Sequence, residues 1–326
     1  MNRRDTILGL FALAATPAFS LAQQAGKAWR IGVLETTSMA LNAANFDAFR
    51  KGLREFGYIE QKNLLFEYRS AEGRGERFVD LATELVNLKV DMIVTRGTPA
   101  ALAASNATRT IPVVMAAIGE PPGQSIVATL ARPGGNVTGL SAFVTELTAK
   151  RIEVLREMVP KIARISTLLN MGNPISLAQW KETQSAAKVL GIQCKLLDVR
   201  KADELEHAFD EAINQRADGL FVGIDALTQA NRHLIAELAV KRRLPTVHAS
   251  KEFVDAGGLI SYGVSYPDLY YRAAGIVNKI FLGTKPGDIP VEQPIRYELV
   301  INRRTAKALG IAIPKELLFR ADEIIE

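Results

Sequence analysis

The most informative stretch of the chain is residues 111–141, which read IPVVMAAIGEPPGQSIVATLARPGGNVTGLS. A short apolar run behind Pro112 predicts a buried strand, and the Pro and Gly residues of GEPPG end it in a loop. A short helix is predicted over 126–130, and VTGL predicts a second strand over 137–140. Because open α/β sheets place ligands at the carboxyl ends of their strands, the loop is predicted to form part of a binding site.

Strands and helices alternate on both sides of this stretch. Apolar runs in the first half predict strands from residues 29, 64, 90 and 113. Strands in the second half begin near residues 164, 192, 218 and 244, at spacings of 28, 26 and 26, each of which fits one strand and one helix. Such alternation implies parallel strands joined by right-handed crossovers. The sequence therefore predicts an α/β protein with two doubly wound parallel-sheet lobes.

The helices are predicted from apolar residues at i, i+3, i+4 spacing. One such face is formed by Phe46, Phe49, Leu53 and Phe56, and another by Leu205, Ala208, Phe209, Ala212 and Ile213. Ser176 and Gln179 fit a capping box at the start of a further helix. Towards the C-terminus, strands are predicted over 258–262 and 297–301, with helices near 269–281 and 305–309.

Length and composition exclude several classes of protein. At 326 residues the chain can form two domains, and 48% hydrophobic and 23% charged residues are ordinary for globular chains. The net charge of +5 comes from scattered Lys and Arg, so no nucleic-acid partner is predicted. Cys194 is the only cysteine, and no Cys/His set has zinc-ligand spacing. We therefore expect no metal, cofactor or intramolecular disulfide.

The N-terminus has the three parts of a signal peptide. Arg3 and Arg4 give a positive start, residues 7–15 are apolar, and Ser-Leu-Ala at 20–22 is a small-x-small cleavage site. Nine apolar residues are too few to span a bilayer, which needs about 20. The sequence predicts cleavage after Ala22 and an exported, soluble, periplasmic protein.

Candidate ligand contacts in the first half follow the strand ends. Thr98 is a good N-cap and Pro99 a good first helical residue, so a helix should begin here with its free N–H groups towards a carboxylate. An ordinary helix cap explains the pair equally well. Thr36 and Thr37 follow the first strand and could donate hydroxyls or simply form a turn. Glu120 could hold a ligand ammonium or complement a helix dipole.

Three further candidates end strands in the second half. Asn170 follows one strand, and Asp225 follows the apolar run LFVGI. Asp225 could accept hydrogen bonds from a ligand amine or cap the next helix. Tyr262 could stack on a ligand or pack in the core. The sequence contains no GxxxxGK[ST], GxGxxG, GxSxG or HExxH motif, and His248 has no obvious nucleophile beside it, so no catalytic residue is predicted.

Four motifs resemble the periplasmic substrate-binding proteins of ABC transporters, specifically the type I family whose relatives include aromatic-amino-acid receptors. They are ARPGGNVTG (131–139), GTPAA (97–101), EFVDAGGLISYG (252–263) and the C-terminal stretch 291–326. The resemblance covers essentially the whole mature chain. At 120–122 the sequence reads Glu-Pro-Pro, where these relatives usually have Asp-Pro-Val.

The resemblance implies a two-lobed clamp with a ligand cleft between the lobes. Lobe 1 would comprise 28–138 plus 265–285, and lobe 2 would comprise 139–262 plus 290–326. Three crossings would lie near 138–142, 262–264 and 285–291.

We therefore expect a monomeric solute-binding protein of an ABC importer that works with permease membrane subunits and performs no catalysis. Its ligand is expected to be a small zwitterion or carboxylate, such as an amino acid, with its carboxylate at the Thr98 helix and its amine at Asp225 or Glu120. Two alternatives are an extracytoplasmic ligand sensor with the same clamp and an exported α/β enzyme.

Overall fold

The computed structural model describes residues 27–119 and 126–326. The predicted signal peptide and Glu120 lie outside this range. The described chain forms two β-sheets, each covered by helices on both faces, and this confirms the predicted α/β architecture. None of the helices in the described ranges combines the length and the apolar character needed to cross a membrane.

The first sheet has five parallel strands in the order β2-β1-β3-β4-β5. They are β1 (Trp29–Glu35), β2 (Leu64–Ser70), β3 (Met92–Arg96), β4 (Val113–Ile118) and β5 (Val137–Ser141). Four of them follow the predicted positions closely because each is a short apolar run bounded by Gly, Pro or charged residues. β3 begins two residues later than the sequence suggested.

The helices of the first sheet are α1 (Ala43–Glu55), α2 (Phe78–Asn87), α3 (Thr98–Ala107) and a later helix, α10 (Tyr266–Phe281). α1 and α10 pack together on one face of the sheet, whereas α2 and α3 cover the other. Gly52 allows the α1–α10 contact, since a Cβ there would lie 2.7 Å from the Cβ of Ala274. The prediction for Phe56 was wrong: α1 ends before it, and its side chain is 48% exposed.

The second sheet has seven strands in the order β12-β11-β10-β9-β8-β6-β7. They are β6 (Arg164–Leu169), β7 (Gln193–Asp198), β8 (Gly219–Val222), β9 (Thr246–His248), β10 (Ile260–Gly263), β11 (Glu298–Asn302) and β12 (Glu323–Ile325). Only β10 and β11 pair antiparallel; the other neighbours are parallel. β12 is only three residues long and was not predicted from the sequence.

Eight further helices belong to the second half of the described chain. They are α4 (Thr148–Met158), α5 (Ser176–Leu190), α6 (Leu205–Asn214), α7 (Ala226–Ala230), α8 (Arg232–Lys241), α9 (Lys251–Asp255), α11 (Arg303–Ala308) and α12 (Lys315–Arg320). On α6, Leu205, Ala208, Phe209 and Ala212 are buried, but Ile213 is 40% exposed, so its place on the buried face was wrong.

Three local predictions need correction. Residues 126–130 are not helical: the N–H of Ala128 bonds the carbonyl of Pro133 at 2.8 Å, so this segment folds back in a turn. The residue at the N-cap of α5 is Ile175, and the Ser176 hydroxyl donates to the carbonyl of Asn170 at 2.7 Å instead of forming a capping box. The N-cap of α3 is Gly97 rather than Thr98.

The segment after α10 returns alongside β5. The hydroxyl of Thr138 donates to the carbonyl of Ile289 at 2.7 Å, and the N–H of Glu292 donates to the carbonyl of Gly139 at 2.9 Å. The N–H of Ser141 in turn donates to the carbonyl of Glu292 at 2.9 Å. Two connections between the sheets are therefore hydrogen-bonded to each other. The lobe boundaries and hinge positions themselves stay predictions.

Candidate ligand-binding site

A small cavity lies between the two sheets, at the carboxyl ends of strands from both. Its volume is about 40 Å³, so the walls from the two lobes nearly meet. The side chains and backbone that line it are those of Thr36, Phe78, Arg96, Gly97, Thr98, Pro99, Ala117, Gly119, Val144, Asn173, Ile175, Ile224, Asp225, Ala226, Gln229 and Tyr266. This position matches the one that open α/β sheets use for ligands.

Thr36 lines the cavity directly after β1. The residue is buried, and among the described residues its Oγ1 has no hydrogen-bond partner. Thr37 is also buried but does not line the cavity; its carbonyl accepts from the Tyr68 hydroxyl at 3.0 Å. The structure therefore brings only one of the two predicted threonines to the cavity.

The N-terminus of α3 forms a second polar part of the wall. Gly97 at the N-cap has φ of 86°, a left-handed conformation that favours glycine, and Thr98 and Pro99 follow it into the cavity wall. Thr98 is buried. The helix has ten residues, so its dipole places a partial positive charge at this end.

Asp225 lies on the opposite wall, where it caps a helix and also accepts hydrogen bonds from two asparagine side chains. Its Oδ1 accepts from the N–H of Leu227 at 3.0 Å, so it caps α7. The amides of Asn170 and Asn173 donate to its two oxygens, both at 2.9 Å. Asp225 and Asn173 line the cavity. Asn170 does not line it but hydrogen-bonds the Asp225 carboxylate.

Tyr262 is placed elsewhere. Its ring centroid lies 6.1 Å from that of Tyr297, it packs against the core of the second sheet, and it does not line the cavity. The carbonyl of Tyr262 accepts from Nε of Arg151 at 2.8 Å. This arrangement matches a packing role for the side chain, and we do not propose Tyr262 as a ligand contact. Glu120 falls outside the described residues.

Sequence reasoning missed an ion pair beside the cavity. Arg96 ends β3, and its Nη2 lies 2.5 Å from Oε2 of Glu252 on α9. The side chains are 4% and 16% exposed. Burial alone raises the pKa of Glu252, but the Arg96 guanidinium and hydrogen bonds from Arg96, Asn45 and Gln229 outweigh burial and lower it. A charged residue at the end of the apolar run MIVT was the only local signal for Arg96.

A second buried carboxylate lies behind Arg96. Glu35 ends β1, is 1% exposed, and accepts a hydrogen bond from the Tyr270 hydroxyl. Burial raises the pKa of Glu35 to about 7, although Arg96 and hydrogen bonds from Tyr270 and Thr36 act in the opposite direction. Arg96 also lies over the ring of Tyr266, with its Cζ 4.5 Å from the centroid. The cavity wall at Tyr266 is thereby held by a buried guanidinium.

The remaining wall is apolar. Phe78 comes from the first lobe, and Ile175, Ile224 and Val144 come from the second-sheet side of the chain. One side of the cavity thus carries the positive end of α3 and Thr36, and the other side carries the Asp225 carboxylate. Apolar groups form the rest of the wall. These groups are chemically complementary to a zwitterion with an apolar side chain. Within residues 27–119 and 126–326, no group of three His, Cys, Asp or Glu side chains could hold a metal ion.

Comparison with known proteins identifies the family. The pattern described as ABC transporter substrate binding protein matches residues 30–325. A tyrosine-binding protein of Clostridioides difficile (strain R20291) is 28% identical over 263 residues, covering 81% of this chain and 75% of that protein. Solved solute-binding proteins only 13% identical share the fold, with TM-scores of 0.58 and 0.59. The fold is thus that of type I periplasmic binding proteins.

Two solved structures are more similar. An ABC domain from Streptococcus pneumoniae in complex with L-Trp is 27% identical and superposes with a TM-score of 0.83, covering 91% of this chain and 99% of that one. The ligand-free, open structure of a substrate binding protein with adhesive properties from Clostridium difficile is 25% identical, with the same coverage and a TM-score of 0.65. The chain belongs to the ABC transporter substrate binding protein family.

Proposed function

We propose that this protein is the extracytoplasmic solute-binding component of an ABC importer and that it binds an α-amino acid between its two lobes. The observation that carries the proposal is a cavity lined from both sheets, with the N-terminus of α3 and Thr36 on one side and Asp225 on the other. A ligand carboxylate would lie at the positive end of α3 and accept from the Thr36 hydroxyl. Its ammonium would donate to Asp225.

The apolar wall supports an amino acid with an apolar or aromatic side chain. Phe78, Tyr266, Ile175 and Ile224 provide the surface for such a side chain. Aromatic rings prefer offset stacked or edge-to-face contact with other rings, and Tyr266 is held in place by Arg96. The relatives agree with this class of ligand, since one is a tyrosine-binding protein and another was solved with L-Trp.

Binding would work by a shift of population between open and closed forms. A ligand that contacts both lobes binds the closed form more tightly and so favours it. At nearly equal identity, this structure superposes better on the L-Trp complex than on the ligand-free, open relative. Arg232 also crosses between the lobes, donating to the carbonyl of Leu41 at 2.9 Å. These observations support a closed form in which the cavity is formed by contact of both lobes.

Location and partners follow from the same proposal. The segment 1–22 would be removed as a signal peptide, and the mature chain would act in the periplasm as a monomer. The membrane subunits of the permease would then distinguish the closed from the open form and accept the ligand. The crossings proposed near 138–142, 262–264 and 285–291 would be the hinges.

A thermal-shift screen of residues 23–326 tests the ligand class. The panel contains the twenty amino acids, simple carboxylates, nucleosides and sugars, followed by calorimetry on each hit. Ligand at 100 times its dissociation constant should stabilise the protein by about 2.7 kcal/mol, or several degrees at about 2–4 °C per kcal/mol. We expect shifts with aromatic or large apolar amino acids.

Two variants test the site. Thr36→Val and Asp225→Asn should each weaken amino-acid binding by about tenfold or more, because a hydrogen bond to a charged group is worth about 1.5–3 kcal/mol. Asp198→Asn is the matched control, since Asp198 also ends a strand of the second sheet and accepts from a backbone N–H, that of Met171, but does not line the cavity. Shifts with sugars alone would refute the ligand class, and unchanged affinity in both variants would refute the site.

A further inference from the structure

The contact between Arg96 and Glu252 joins the two lobes. Arg96 is the last residue of β3 in the first sheet, and Glu252 is the second residue of α9, which follows β9 of the second sheet. Nη1 and Nη2 of Arg96 each contact one carboxylate oxygen, at 3.1 and 2.5 Å. The pair is therefore a two-point contact across the interface rather than within one lobe.

Other polar groups complete the contact from both sides. Asn45 on α1 donates to Oε1 of Glu252 at 2.7 Å, and Gln229 donates to Oε2 at 2.8 Å. Oδ1 of Asn42 accepts from both Arg96 and Asn45, at 3.1 and 2.9 Å. Every one of these partners is a protein group. The hydrogen bonding of Glu252 in the closed form is thus complete without any ligand atom.

We propose that Arg96 and Glu252 form an interlobe latch, which holds part of the ligand-free protein closed and thereby positions the two walls of the binding cavity. The latch itself can form without a ligand, and only its effect on ligand affinity rests on the proposed function. Separation of the lobes would part the pair and return both side chains to water.

The net free energy of the Arg96–Glu252 pair is small enough for a bound ligand to change the balance between the open and closed forms. Desolvation of two charges opposes their pairing, and the Coulomb attraction with added hydrogen bonds offsets it, so the net effect of such a pair is close to balance. Removing one partner is different, because the other charge would then lose its main counter-ion while it stays buried in the closed form. A single neutral substitution should therefore favour the open form strongly, where the remaining charge is solvated.

Small-angle X-ray scattering of the ligand-free mature chain tests this directly. The proteins compared are the wild type, Glu252→Gln and Asp255→Asn. Asp255 is the matched control because it lies on the same helix, is 50% exposed, and pairs with Lys251 at 2.6 Å within its own lobe. We expect a larger radius of gyration for Glu252→Gln than for the other two. Equal radii for all three would overturn the proposal.

Asn45→Asp tests the same contact with a substitution in lobe 1, since Asn45 donates a hydrogen bond to Glu252. It keeps the shape of Asn45 and places a second carboxylate against Glu252, so it should open the protein as Glu252→Gln does. A compact Asn45→Asp protein would contradict the latch even if Glu252→Gln failed to fold. Where calorimetry finds a ligand, both variants should bind it about tenfold more weakly, the factor that corresponds to about 1.4 kcal/mol. Unchanged affinity would also overturn the proposal.

The two proposals fail separately. If no amino acid binds, the proposed function is wrong, yet the scattering comparison still decides the latch because it needs no ligand. If amino acids bind and the radii are equal, the latch is wrong and the proposed function stands.

Discussion

Gly73 lies directly against Ala230: a Cβ built on Gly73 would be 2.8 Å from the Cβ of Ala230. Gly73 follows β2 in the first lobe, and Ala230 is the last residue of α7 in the second. The N–H of Gly73 also donates to the carbonyl of Thr36 at 3.0 Å, which ties this contact to the cavity wall. This contact leaves no room for a side chain at position 73.

Gly73→Ala should therefore weaken ligand binding by roughly tenfold, because its methyl group collides with Ala230 only when the lobes are closed. Gly57→Ala is the control. Gly57 has φ of 85° and Gly73 has φ of 81°, so both variants carry the same backbone strain, but nothing lies within 4 Å of a Cβ at Gly57. The two should lose similar thermal stability without ligand. Calorimetry showing equal affinities for the two variants would contradict the closed contact.

Thr36→Val should weaken amino-acid binding by about tenfold, because it removes a cavity hydroxyl while keeping the side-chain shape. Thr37→Val is matched to it: Thr37 is the next residue, is equally buried, and its Oγ1 also has no partner among the described residues. Thr37 does not line the cavity, so the Thr37→Val variant should bind the amino acid with wild-type affinity. The reverse pattern in calorimetry would show that Thr37 is the ligand contact.

Stability should fall with rising pH because of Glu35. Burial raises the pKa of Glu35 to about 7 from 4.5, so the folded protein binds this proton more tightly than the unfolded chain does. The stabilisation is fully present below pH 4.5 and is lost as the pH rises through 7. The total effect is about 3 kcal/mol.

Glu35→Gln isolates this contribution in urea unfolding at a series of pH values. The comparison is needed because burial lowers the pKa of His248 to about 3, which makes stability rise with pH up to about 6.5. The difference in unfolding free energy between wild type and variant should change across pH 4.5–7 and be flat above that range. For Glu206→Gln, which removes a carboxylate that is 64% exposed, we expect no such change. A constant difference for Glu35→Gln would refute the assignment.

Arg151→Met should destabilise the protein by about 3 kcal/mol, because it removes a charged donor from two carbonyl groups in the interior. Arg151 is 1% exposed, and its guanidinium donates to the carbonyls of Val144 at 2.6 Å and Tyr262 at 2.8 Å. Arg156→Met, on the same helix, removes an exposed bond to the carbonyl of Leu190 and should cost under about 1 kcal/mol. Thermal unfolding of both variants gives the comparison.

Much of the fold could be predicted because it depends on local patterns. Strands such as β4 and β8 are short apolar runs that keep their character wherever they pack. Predictions failed where tertiary context decides: Phe56 follows an apolar face, but α1 ends before it, and residues 126–130 form a turn closed by Pro133. No periodicity specifies such endings.

The site was predictable only to the level of strand ends. Thr36 and Asp225 follow strands and reach the cavity, and Asp225 also caps a helix, so both of its proposed roles rest on an observed contact or position. Arg96 and Glu252 are 156 residues apart, and their pairing depends on how two lobes meet. Tyr262 follows the same strand-end rule but packs away from the cavity. A position at the end of a strand predicts that a residue lies near the site. Whether its side chain faces the cavity can be seen only in the structure.

The hydrogen bonds between β5 and the returning segment near Ile289 and Glu292 have a mechanical consequence. The returning segment, bonded alongside β5, can twist together with that strand but resists sliding along it, since sliding breaks every bond at once. We therefore expect the lobes to swing about one axis without shear. A single distance between one probe on each lobe would then suffice as a reaction coordinate for this clamp.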